Sequence, residues 1–274
     1  MAEPELRLHV ETPNGTGQGR PIVVLHGYLA TLESWRGLVP LLPGRELWLF
    51  DLKGHGASPC PADGKYTVTD QAELVLAQIA DMREVTLVGH SFGGGVALLV
   101  AIRLRKEGRL ARLVLVDALA FPEHLSWWAT GLRSGWLAAY LAVAPFWLSD
   151  AAAMLAVRMG LNVLCKQPQN ITAASRQAYA GNLRQPARAS ALIQTGRHLV
   201  KEEYQEIENG LGGIDVPTLI VWGRDDPLVP MPDNTRRLLT IQGSKLFVPG
   251  EACGHIAHEE LPDPVLPEIA AFLQ

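Results

Sequence analysis

Short, unbroken apolar runs separated by longer amphipathic stretches dominate the chain. Ile22-Val23-Val24-Leu25, Leu47-Trp48-Leu49-Phe50, Val85-Thr86-Leu87-Val88 and Leu113-Val114-Leu115-Val116 come first, and Thr218-Leu219-Ile220-Val221-Trp222 and Lys245-Leu246-Phe247-Val248 follow after a long interval. Runs apolar at consecutive rather than alternate positions predict strands covered on both faces, as in a parallel sheet. Helical signals fill the gaps. Thr69 or Asp70 stands as a cap before the run Gln71 to Met82, Phe92 to Arg105 carries apolar residues at helical spacing, and further helices are predicted from about Asp233 to Leu239 and from Pro264 to Leu273. Alternation of this kind predicts the α/β class, with a mostly parallel central sheet and helices on both faces.

From Ala120 to about Gly213 the rhythm is lost. The sequence there is helical in pattern, rich in Ala and Leu, and holds Trp127, Trp128, Trp136, Phe146 and Trp147. We expect one domain with an insertion, in which residues 1–119 and 214–274 form the core and residues 120–213 a helical cap. Inserted caps lie over the carboxyl ends of the strands, where open α/β sheets form their sites. Trp128, Trp136 and Trp147 are therefore candidate pocket walls, although each can equally serve to fasten cap to sheet. The most apolar run, Gly135 to Leu148, is broken by Pro145 and stops before Asp150. It is too short to span a bilayer and fits a buried or interfacial helix pair.

Composition narrows the function classes. At 274 residues the chain buries a sizeable core, and its net charge of -4, with 24 Lys and Arg scattered along it, argues against a nucleic-acid partner. A small molecule is the expected partner; oligomeric state leaves no mark. The three cysteines, Cys60, Cys165 and Cys253, are odd in number and lack metal-ligand spacing, so neither a disulfide framework nor a zinc site is expected. Charges throughout Met1 to Glu11 argue against a signal segment, and a cytoplasmic location is expected.

The candidate chemistry sits at strand ends. Gly89-His90-Ser91-Phe92-Gly93 joins a β-branched run to a helix, and it reads as a nucleophile elbow, a serine on a sharp strand-to-helix turn whose flanking glycines permit close packing. A serine hydroxyl is a poor nucleophile at neutral pH and needs a base, which in turn needs an orienting carboxylate. Gly223-Arg224-Asp225-Asp226-Pro227 follows one late strand and Gly250-Glu251-Ala252-Cys253-Gly254-His255 follows the last. Serine, aspartate and histidine thus occur in that order.

Two further segments join them: Leu25-His26-Gly27-Tyr28, and Asp51-Leu52-Lys53-Gly54-His55-Gly56-Ala57-Ser58 with its D-x-x-G-x-G-x-S spacing. With these motifs the chain resembles the α/β-hydrolase superfamily from about Pro21 to its C-terminus. That resemblance implies an α/β-hydrolase fold with a Ser91, Asp226 and His255 triad, and an oxyanion hole from the backbone amides of Tyr28 and Phe92. His258 is the nearest rival base. Asp225, offset by one, and Asp117, at the end of another strand, are the rival acids. His26 is expected to shape the oxyanion turn at the pocket, and His90 and Ile256, which flank the serine and the histidine, to line it. No metal or organic cofactor is implied, since the glycines around Ser91 lack the dinucleotide fingerprint.

The expected activity is hydrolysis of a carboxylic ester with an apolar acyl or aryl group, through an acyl-enzyme. A carbon-carbon bond hydrolase of ring-cleavage diketones is the alternative, lowered by His90 and Ile256 standing where those enzymes commonly carry Asn and Trp. A lactonase and a cofactor-free perhydrolase share the same three residues. A ligand receptor that kept the fold and lost turnover is the non-enzymatic alternative. Arg184, Arg188 and Arg197 are candidates to meet a substrate carboxylate, but their spacing also suits the wet face of a helix.

Overall fold

The computed structural model describes residues 6–15, 18–132 and 149–274. Trp136 and Trp147, and the apolar run Gly135 to Leu148, lie outside the described residues. Seven strands form one sheet in the order β1-β3-β2-β4-β5-β6-β7. They are β1 (Val10–Glu11), β2 (Gln18–Leu25), β3 (Arg45–Phe50), β4 (Val85–His90), β5 (Leu110–Val116), β6 (Thr218–Val221) and β7 (Ser244–Phe247). Among the described strands only β1 runs antiparallel to its neighbour; the other pairs are parallel, with Ile22 opposite Leu47 and Thr86, and Leu113 opposite Thr218. All six predicted apolar runs fall on strands β2 to β7, and β1, two residues long, left no pattern to find.

Side chains of successive strand residues point to opposite faces. Val23, Leu25, Leu87, Leu113 and Ile220 pack with helices α1 (Val68–Gln78) and α2 (Ser91–Lys106), whereas Ile22, Val24, Leu49, Val114 and Val221 pack with the 3₁₀ segment Leu32–Leu41 and the C-terminal helix. Both faces are therefore dry, which is why the strand sequences are apolar without alternation. The start of α1 differs from expectation. Its cap is Thr67, whose hydroxyl accepts from Asp70 N while the Asp70 carboxylate accepts from Thr67 N, a reciprocal capping box. Thr69 and Asp70 lie inside the first turn, and the helix runs to Gln78 rather than Met82.

Between β5 and β6 come α3 (Asp150–Leu164), α4 (Ala173–Arg184), α5 (Pro186–Arg197) and the short α6 (Gln205–Gly210). Ala153, Val157, Leu161, Tyr179 and Ala180 of α3 and α4 form a small apolar cluster with Ala30 and Ile256 at the strand ends. Leu199, Tyr204, Ile207, Leu211 and Ile214 instead join the main core beside α2. After β6 come α7 (Met231–Leu238), α8 (Ala257–Glu260) and α9 (Pro262–Leu273). Among the described residues no helix is long and apolar enough to cross a membrane.

The strand order reverses between β2 and β4. Crevices at the carboxyl ends of strands flanking such a reversal are where open α/β sheets bind ligands. Here the loops after β2 and β4 carry Tyr28 and Ser91.

Candidate active site

Ser91 sits at φ 50, a left-handed conformation that a residue with a side chain adopts at a cost. The turn is held by its surroundings: Ser91 O accepts from Leu119 N in the loop after β5, at 2.8 Å. Gly93 abuts the main-chain carbonyls of Leu25 and His26, so any side chain there would collide with the end of β2. Gly27 is equally confined, for a methyl on it would meet His90 Nδ1 at 2.6 Å and Ser91 Cβ at 3.1 Å. The β2 loop is thereby laid directly against the serine.

His255 and Asp226 converge on that serine. His255 Nε2 lies 2.8 Å from Ser91 Oγ, and His255 Nδ1 lies 2.7 Å from Asp226 Oδ2. The other Asp226 oxygen accepts from Leu228 N at 2.8 Å and Val229 N at 3.0 Å, so the carboxylate is fixed in place. All three side chains are buried. With Nδ1–H donating to Asp226, Nε2 of a neutral imidazole is free to accept the serine proton.

The rivals are placed elsewhere. Asp225 is exposed. Asp117 is fully buried, with Oδ1 accepting from Gly223 N at 2.7 Å and Oδ2 from Ala257 N at 3.2 Å; it clamps the acid loop to the histidine loop. Burial and the nearby Asp226 raise its affinity for a proton well above that of a free aspartate. His258 stacks on Trp35 at 4.1 Å, and burial pushes its pKa down to about 3.

Phe92 N belongs to the first turn of α2, where main-chain N–H groups have no acceptor within the helix. The Phe92 side chain is core. The loop bearing Tyr28 is bolted from above: Tyr28 Oη donates to Leu192 O at 2.8 Å, and Asn182 Nδ2 donates to Leu29 O at 2.8 Å and Ala30 O at 3.0 Å. His26 does not reach the cavity, contrary to expectation. It lies fully buried beneath the turn, Nδ1–H donating to Gly27 O at 2.8 Å and Nε2 accepting from Leu52 N at 2.9 Å. The segment Asp51 to Ser58 proves to be scaffolding of the same kind, with Asp51 Oδ1 accepting from Leu32 N and Oδ2 from Ala57 N.

A cavity of about 500 Å³ opens onto Ser91 and His255. His90, Trp128 and Ile256 line it, and so does Tyr28. Most of its wall comes from residues that the sequence did not single out: Val157, Leu161 and Leu164 of α3, Tyr179 and Leu183 of α4, and Leu192 and Leu228. The wide apolar arc of α3, Asp150–Leu164, was the available signal. No Lys, Arg, Asp or Glu is among the described lining residues. Both phenols that line it spend their hydroxyls elsewhere, Tyr28 on Leu192 O and Tyr179 on the Glu259 carboxylate. Arg184 pairs with Asp150, Arg188 Nε donates to Gln185 at 2.7 Å, and Arg197 is exposed, so none of the three enters the cavity.

A family profile described as alpha/beta hydrolase fold matches residues 20–262. Over 221 residues, 78% of this chain and 80% of the relative, the sequence is 30% identical to a pimeloyl-(acyl-carrier protein) methyl ester esterase of Aeromonas hydrophila. Over 251 residues, 88% of this chain and 82% of the relative, it is 27% identical to a 2-hydroxymuconate semialdehyde hydrolase of a Pseudomonas species. A thermophilic esterase from Thermogutta terrifontis superimposes with a TM-score of 0.75 at 23% identity, covering 97% of this chain and 92% of that one; this likeness is one of fold.

Proposed function

The chain belongs to the α/β-hydrolase fold family, and from that membership and the geometry of its site we propose that it is a serine hydrolase cleaving uncharged, apolar carboxylic esters through an acyl-enzyme. The observation that carries this reading is the unbroken line of hydrogen bonds from Asp226 through His255 to Ser91 Oγ, beside a cavity with no Lys, Arg, Asp or Glu among its described lining residues.

In this mechanism the Ser91 oxygen attacks the ester carbonyl as its proton passes to His255 Nε2. Asp226 accepts from Nδ1–H throughout, holding the productive tautomer and stabilising the imidazolium. The negative charge that develops on the carbonyl oxygen is met by the main-chain N–H groups of Tyr28 and Phe92. His255 returns its proton to the departing alkoxide, leaving an acyl group on Ser91. Water, deprotonated by the same imidazole, then releases the carboxylic acid and restores the serine proton. The helices α3, α4 and α5 act as the cap, with the acyl or aryl group packed against α3.

Relatives of differing chemistry share this architecture, and the wall of the cavity separates the readings. A carboxylate-bearing diketone buried there meets no cation among the described residues, and an unpaired buried charge is costly. A neutral acyl chain gains from burial, at about 0.8 kcal/mol per methylene. The test is a panel of p-nitrophenyl esters from acetyl to octanoyl, run beside an anionic hemisuccinate ester and a ring-cleavage diketone acid. Neutral esters are expected to turn over, with kcat/KM rising along the series. Folded protein that hydrolyses none of them, or that prefers the anionic substrates, overturns the reading.

A further inference from the structure

Behind His255 lies a fully buried carboxylate that the proposed mechanism does not use. Glu260, on α8, accepts at Oε1 from the main-chain N–H groups of Lys166 at 2.6 Å and Gln167 at 2.9 Å, just past the C-terminal end of α3. Its Oε2 accepts from Gly254 N at 2.9 Å, the residue before His255. Two more bonds close the same seam. His255 N donates to Leu164 O, the last residue of α3, at 2.9 Å, and Asn170 Nδ2 donates to Glu260 O at 2.8 Å.

Burying a carboxylate is expensive, and here main-chain amides offset the cost. The choice of residue is informative. A carboxylate offers two accepting oxygens, one for each side of the seam, whereas a glutamine accepts on one side and opposes an N–H with an N–H on the other. The helix so attached is also the wall of the cavity, through Ala156, Val157, Gly160, Leu161, Val163 and Leu164. Wall and histidine loop are therefore hydrogen-bonded to one another.

Resting on the serine-hydrolase reading, we propose that Glu260 is a positioning residue: it ties the His255 loop to α3, so that an acyl chain filling the cavity against α3 holds the imidazole where it already lies, in reach of Ser91 Oγ. A role confined to stability would lower activity on all esters alike. The positioning role acts on kcat, and more strongly for substrates that fill the cavity.

The experiment compares p-nitrophenyl acetate and octanoate on the wild type, Glu260→Gln and Lys166→Pro. The second variant removes one donor to Glu260 from the α3 side, where Cys165 at φ -114 and ψ 149 already has the extended conformation that a following proline requires. It carries the test should Glu260→Gln not fold. In either variant the octanoate-to-acetate ratio of kcat is expected to fall about tenfold while each KM stays within about twofold of wild type. An unchanged ratio in the folded variants, or an equal loss of kcat on both esters, overturns the proposal. A wild type inert to both esters removes the hydrolase reading and this proposal with it, whereas an active wild type with unaffected variants removes this proposal alone.

Discussion

His90 Nε2–H donates to the main-chain carbonyl of His255 at 2.9 Å, so the residue before the serine holds the backbone of the histidine that faces it. The bond joins the end of β4 to the loop after β7, 165 residues apart in sequence. It fixes the His90 tautomer, and burial together with the neighbouring His258 and His255 keeps the ring neutral. Replacing His90 by Ala should lower kcat by about 10- to 100-fold with little change in KM, because a misplaced base costs rate rather than binding. His90→Gln, whose amide nitrogen reaches the position of Nε2, should restore most of the loss. Steady-state kinetics on one neutral ester decides it; equal losses in both variants would contradict the role.

Asp226 and Asp117 are both buried at strand ends, but only Asp226 touches the imidazole. Asp226→Asn places an amide N–H against His255 Nδ1 and forces the unproductive tautomer, so kcat should drop by about 10³- to 10⁴-fold, the scale for such a change in serine proteases. Asp117→Asn opposes an N–H to Ala257 N or Gly223 N instead. Its main effect should be a loss of about 1–3 kcal/mol of stability. Melting curves and turnover on the two variants separate the roles, and a larger kcat loss for Asp117→Asn than for Asp226→Asn would reverse the assignment.

The motifs around Ser91, Asp226 and His255 were legible because each occupies a loop whose preceding strand is marked by an unbroken apolar run. Backbone turns of this kind depend on local sequence. Glu260, Asn182 and Asp117 were not legible in these roles, because all their partners but Gly254 are main-chain atoms tens of residues away or more, and no periodicity reports which amide a buried side chain will meet. His26 lies beneath the turn after β2 rather than in the cavity for a related reason. Its position next to that turn is local, but the direction of its ring is set by Leu52 N, on a neighbouring strand's loop. At the start of α1, Thr67, Thr69 and Asp70 all have capping side chains, and only the reciprocal bond between Thr67 and Asp70 picks the first. Tryptophans are the pocket walls the sequence suggests, whereas α3 supplies more of the described wall than any other element, with aliphatic side chains.

Stability should decline in mild acid. Burial lowers the proton affinity of His26 and His90, and holds His55 and His258 at about 3, against an ordinary value of 6.5. Below pH 6.5 the unfolded chain takes up protons that these imidazoles in the fold refuse, so stability falls as the pH drops from 6.5 toward 3. Glu259 pulls the other way. Burial raises its carboxyl to about 7, so between its ordinary 4.5 and 7 the fold holds a proton that the unfolded chain has released. Asp117, whose carboxyl burial likewise raises, stands with Glu259, so two carboxyls stand against four imidazoles and the melting temperature is expected to fall between pH 6.5 and 4. His258→Leu should flatten the slope. A melting temperature constant or rising over that interval would contradict the account.

The central claim is that Ser91 is a nucleophile activated by His255. The most direct measurement is intact-protein and peptide mass spectrometry after exposure to a fluorophosphonate. One adduct per chain is expected, on the peptide bearing Ser91, with labelling slowed at least about 10³-fold in His255→Ala. Folded protein that takes no label, carries it on another residue, or is labelled as fast without the imidazole would contradict the claim.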